Sequence, residues 1–121
     1  MKTTQKNFYL FKQECQKWID RFELNNYRVV YEWKDLKKSD ASMNSQQSSM
    51  NSTIALSKNI GFDGADYNMS QNEFIKSLAK HEIIHLLLGR YVWCAESRFI
   101  ITNEISESEE ELVRKLEKII K

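Results

Sequence analysis

The chain has two histidines, and both stand in one pentapeptide, His81-Glu82-Ile83-Ile84-His85. In an α-helix, residues four apart lie on one face, a turn from each other. The pair therefore presents two imidazoles side by side, the arrangement that holds a single metal ion. Glu82 follows the first histidine directly, so its carboxylate stands at the margin of that face, beside the position of an activated water. This is the H-E-x-x-H pattern of zinc-dependent hydrolysis, with Glu82 as candidate general base.

The neighbouring residues predict that helix. Ser70-Gln71-Asn72-Glu73 reads as a capping box, with Ser70 at the N-cap and Glu73 at N3. Phe74, Ile75, Leu78, Ala79, Ile83, Leu86 and Leu87 follow at helical spacing, and Ile84 and Leu88 make the second half apolar almost all round. Such a helix is central and buried. Gly89 fits the left-handed position that ends a helix, which would place the pentapeptide in its last two turns. Short motifs also arise by chance on ordinary amphipathic helices. Here the flanks are apolar, so polar side chains among them require a partner.

Composition narrows the class. At 121 residues, the chain fits one domain, 1–121, with its own core. Lys+Arg 18 against Asp+Glu 17 leaves a net charge of +1, which gives no strong field towards nucleic acid or a membrane surface. No apolar run approaches a membrane span and no signal-peptide pattern follows the polar start, so a cytoplasmic location is expected. Cys15 and Cys94 are isolated, which suggests neither a disulfide framework nor a cysteine zinc knuckle. Cys15 reads as a small core residue, and Cys94 is a minor candidate ligand. With no proline and three glycines, long regular elements are expected.

The rest of the pattern is α+β: an N-terminal helix, a short antiparallel sheet of about three strands, the motif helix and a C-terminal helix. Phe8, Phe11, Cys15, Trp18 and Phe22, widened by Ile19, form the apolar stripe of a helix over Thr4 to Leu24. Its basic edge of Lys12, Lys17 and Arg21 reads as a solvated face. Tyr27 to Trp33 alternates as a strand with one buried face. A serine-rich stretch then predicts a short strand at Ala41 to Ser45 and a turn at Gln46 to Ser49. Thr53 to Ser57 is a clearer strand, and Asn59 to Met69 a loop. Residues 90–102 are apolar enough to be packed, and a last helix is expected from Ser106, with Leu112, Val113, Leu116, Ile119 and Ile120 on its apolar face.

A catalytic zinc takes three protein ligands and an open position. Both histidines are used, so the third ligand is Glu, Asp or Cys, and five glutamates lie between Glu104 and Glu111. Glu109 stands three before Leu112 and four before Val113, so it continues the apolar face towards the motif helix. Glu110 sits at the margin and Glu111 points outward. Ser106-Glu107-Ser108-Glu109 also reads as a capping box, in which Glu109 would serve the backbone instead. The expected ligand set is His81, His85 and Glu109, with Glu110 next. Two imidazoles and a carboxylate favour zinc, although cobalt, nickel or manganese also suit such a set.

The chain resembles the small zincin-type metallopeptidases encoded by bacteriophages and bacterial genomes, close in layout to the minigluzincins. The resemblance rests on Lys80-His81-Glu82-Ile83-Ile84-His85-Leu86-Leu87-Leu88-Gly89, on Glu109-Glu110-Glu111-Leu112-Val113-Arg114-Lys115-Leu116-Glu117, and on the order of elements. It implies one zinc held by His81, His85 and Glu109, peptide-bond hydrolysis with Glu82 as base, and an edge strand that pairs with extended peptide substrates, here Thr53 to Ser57. The chain has no obvious N-E-x-x-S-D type element for its third ligand. Tyr91, Arg98 and Tyr67 are candidates to stabilise the oxyanion. Two other readings compete: a zinc-binding module without turnover, and a helical binding domain without metal.

Overall fold

The computed structural model describes residues 1–62, 69–98 and 102–120. The elements run α1 (Gln5–Arg21), β1 (Arg28–Lys34), β2 (Ala41–Gln46), β3 (Asn51–Ser57), α2 (Gln71–Arg98) and α3 (Thr102–Ile119). Helix α1 starts at Thr4, whose hydroxyl accepts from the Asn7 N–H while the Asn7 side chain accepts from the Thr4 N–H. This reciprocal cap satisfies two donors that the first turn leaves free. Phe11, Cys15, Trp18 and Ile19 are buried, as the apolar stripe predicts. They meet Phe74, Ile75, Ala79, Ile83 and Leu86 of α2 and Ile54 and Leu56 of β3 in one core. Cys15 is a buried free thiol, and burial, with Glu82 and Glu14 adding to it, pushes its pKa well up. The side chain of Cys94 lies outside the described residues.

The sheet is mixed rather than antiparallel, with strand order β1-β3-β2. β1 and β3 pair in parallel from Arg28↔Asn51 to Lys34↔Ser57, and β2 and β3 pair antiparallel from Ala41↔Leu56 to Gln46↔Asn51. Residues 35–40 carry the chain past the place of the middle strand. β2 returns along the far edge, and the hairpin turn then brings β3 into the gap, parallel to β1. The edge strand beside α2 is therefore β2, and Thr53 to Ser57 is not an edge. Ile54, Ala55, Leu56 and Ser57 are all buried, the two-faced burial of a central strand.

Helix α2 begins as expected, with the Ser70 hydroxyl accepting from the Glu73 N–H at 3.2 Å. It does not stop at Gly89 but runs 28 residues to Arg98. Gly89 serves close approach instead of termination. A β-carbon there would lie 2.8 Å from Gln47 Nε2 and 3.3 Å from Ser45 Oγ, so the absent side chain lets the hairpin settle on the helix. His81 and His85 accordingly stand near the middle of α2. Helix α3 begins at Thr102, four residues before the expected start, so Ser106 to Glu109 lies inside the helix and Glu109 is not a capping residue. Val113 is fully buried, whereas Leu112 is 39% and Ile119 72% exposed. The apolar contact of α3 is thus narrower than the sequence predicts. No described helix is long and apolar enough to cross a membrane.

Candidate metal centre

His81 and His85 project from α2 towards α3, their ring centroids 4.8 Å apart. Their Nε2 atoms are separated by 3.2 Å. The Glu110 carboxylate spans both, with Oε1 2.9 Å from His81 Nε2 and Oε2 3.0 Å from His85 Nε2. The other ring nitrogens are also engaged. His85 Nδ1 lies 2.8 Å from Glu109 Oε2, and His81 Nδ1 bonds to Glu117 Oε1. An ionised carboxylate only accepts, so a neutral imidazole bonded this way donates Nδ1–H and carries its lone pair on Nε2. Both lone pairs then face the Glu110 carboxylate. His81, His85 and Glu110 each offer a ligand atom, all within 4.8 Å of one another.

The sequence ranks Glu109 ahead of Glu110 as third ligand. The structure gives these neighbours different tasks: Glu110 reaches the converging Nε2 atoms, and Glu109 backs His85 from the far side of the ring. Glu117 is the residue the sequence reading misses. It stands seven after Glu110, two turns along the same face of α3, a spacing that was open to inspection. Lys80 fixes the end of that helix. Its ammonium donates to the Glu117 carbonyl at 2.8 Å and to the Ile120 carbonyl, and lies 5.5 Å from the centroid of the Trp18 ring. A cation on the last carbonyls of a helix suits their exposed dipoles. Burial lowers the Lys80 pKa, and Arg21 and Lys17 push the same way, against the pull of Glu117.

Glu82 is 6% exposed and sits where two cavities meet. One, of about 470 Å³, runs along Ala41 to Ser45 of β2 and on past Gly89 to Trp93. The other, of about 670 Å³, is walled by Ser39, Asp40, Phe74, Ser77 and Arg114. Glu82 and His85 line both. Burial raises the Glu82 pKa above the ordinary carboxylate value, as do Glu110 and Glu117, against His85 and His81. Burial lowers the His81 pKa, but the hydrogen bond and charge of Glu117, then Glu82 and Glu110, outweigh it, and the net shift is upward. Tyr91 is 63% exposed and lines neither cavity. Tyr67 and the side chain of Arg98 lie outside the described residues. Arg114, one turn after Glu110, supplies a cation to the second cavity that the sequence reading does not single out. No protein-family model and no curated protein matches the chain.

Proposed function

We propose that the chain is a zinc-dependent peptidase, with His81, His85 and Glu110 as ligands and Glu82 as general base. The observation that carries this is the convergence of both Nε2 atoms on one carboxylate, beside a buried glutamate at the junction of two cavities. The donor chemistry fits zinc, which takes imidazole nitrogen and carboxylate oxygen and leaves a fourth position for water in catalytic sites. The order helix, sheet, motif helix, final helix is the one that the resemblance to small zincin-type metallopeptidases implies.

Bound zinc supplies Lewis acidity, acidifying a water and polarising a carbonyl oxygen. The protein supplies the rest. Glu117 and Glu109 hold the two rings in the tautomer that presents Nε2. Glu82, more basic than an ordinary carboxylate, takes the proton of the attacking water and passes it to the leaving amine. Arg114, on the wall of the second cavity beside Glu82, would supply a cation to negative charge that develops on the carbonyl oxygen. Among the described residues β2 is paired on one side only, and five of its residues wall the first cavity. An extended chain can add there as a further strand, which favours a peptide over a compact substrate.

Protein purified without a metal column is expected to carry about one zinc per chain by mass spectrometry. It should cut an unstructured polypeptide, stop with chelator and recover with zinc. Zinc without cleavage would leave the binding-module reading, and no zinc uptake would end the metal reading. Within the centre, Glu117→Ala is expected to weaken zinc roughly 10- to 100-fold in a chelator competition, the usual cost of removing a ligand's orienting partner. Unchanged affinity would mean that the His81–Glu117 contact does not position the ligand.

A further inference from the structure

A third cavity, of about 460 Å³, lies beside the first and shares two of its walls, Gln47 and Trp93. Leu24, Tyr27, Met50 and Leu87 give it apolar walls, Asn26 and Ser48 polar ones, and Glu23 and Arg90 add one charge of each sign. Gln47 is the partition between the two spaces. Tyr27 donates its hydroxyl to Gln47 Oε1 at 2.9 Å, and Gln47 Nε2 donates to Ser45 Oγ at 3.4 Å. The amide rests over Gly89, where any β-carbon would strike it at 2.8 Å.

Gly89 stands one helical turn beyond His85, about 6 Å along α2. Two residues of extended chain advance about 6.6 Å. A chain that runs along β2 in line with α2 would bring the side chain of the second residue from the cleaved bond to this partition.

We propose that the third cavity is a specificity pocket that takes a large apolar or aromatic side chain, two residues from the cleaved bond on the hairpin side. The inference rests on the peptidase reading above and adds the kind of substrate it selects. Leu87 is 37% and Trp93 52% exposed, apolar surface that a bound side chain covers. The ring of Tyr27 on the pocket wall suits a flat partner. Gln47, held by Tyr27 and Ser45, separates the selected side chain from the reacting bond, and Gly89 makes room for it.

The test uses end-blocked decapeptides of mixed sequence. The unmodified zinc protein is expected to cut them with Phe, Tyr or Leu enriched two residues from the cut, on one side. Zinc-loaded Glu82→Gln protein should bind a Phe peptide about tenfold more tightly than its Gly counterpart at that position. Leu87→Lys, in either background, should erase the preference while zinc content and binding of the Gly peptide stay as they were. Met50→Lys places a charge in the same cavity from the hairpin and serves if the first variant does not fold. Equal affinity for the two peptides, or a preference that survives both lysines, overturns the pocket and leaves the peptidase reading intact. Peptides neither cut nor bound by zinc-loaded protein overturn both.

Discussion

Replacing Glu82 with Gln is expected to slow peptide cleavage by about 10²–10⁴-fold, the usual contribution of a positioned general base, with zinc content unchanged. The amide keeps the shape of the carboxylate but cannot accept the water proton. Glu82 is not among the three residues whose donor atoms converge, so its loss leaves the ligand set whole. A second effect appears once a chelator has stripped the metal. Burial, the largest influence, raises the Glu82 pKa in the folded chain. The folded state then binds this proton more tightly than the unfolded state. Its stabilising contribution is complete below the ordinary carboxylate range and fades as pH rises through the folded value. At neutral pH the buried charge is a net cost, which Gln does not carry. Stripped Glu82→Gln protein should therefore melt above its parent at pH 7, and the gap should shrink on acidification below the carboxylate range. Turnover within a few-fold of the parent would remove Glu82 from the base role. A variant that melts lower at pH 7 would mean that the carboxylate is stabilised by its surroundings.

Much of this centre is legible in the sequence because helical periodicity is local. Two histidines four apart share a face wherever the helix lies, and the stripe from Phe11 to Ile19 finds its core without knowledge of the partner. Which glutamate faces both Nε2 atoms is harder to foresee, because the orientation of α3 depends on which apolar residue it buries most deeply. Averaging Leu112, Val113 and Leu116 points Glu109 inward. Val113 alone is fully buried, and Leu112 turns partly to solvent. Centred on Val113, the inner face takes in Glu110, three before, and Glu117, four after, on one flank, and Glu109, four before, on the other, from which it reaches His85.

Pairing between distant strands leaves a fainter mark. The alternation of β1 does not say whether its neighbour runs with it or against it. The unbroken burial of Ile54 to Ser57 is the trace of a central strand, and the sequence shows it only as the short apolar run Ile54-Ala55-Leu56. Gly89 misleads for a related reason. Glycine after an apolar helix marks either a stop or a close approach, and only Gln47, brought in by the hairpin, distinguishes them.

Neighbouring glutamates on α3 give the sharpest contrast within the centre. Glu110→Ala removes the carboxylate that faces both Nε2 atoms, and zinc affinity should fall roughly a thousandfold or more, since the ion would then depend on two imidazoles. Glu109→Ala removes a partner of His85 Nδ1 and leaves all three donor atoms in place, so its loss should stay near 10- to 100-fold. Glu111→Ala is the control: its side chain is 69% exposed and pairs with Lys115 at 3.0 Å, so zinc binding should be unaffected. Chelator competition on the three variants reads the order directly. The reverse result, with zinc lost on replacing Glu109 and kept on replacing Glu110, would mean that α3 turns by one residue when the ion binds. Glu109 would then be the ligand and Glu110 the outer partner. The Val113 contact opposes that rotation, because turning α3 would lift its most deeply buried side chain out of the interior.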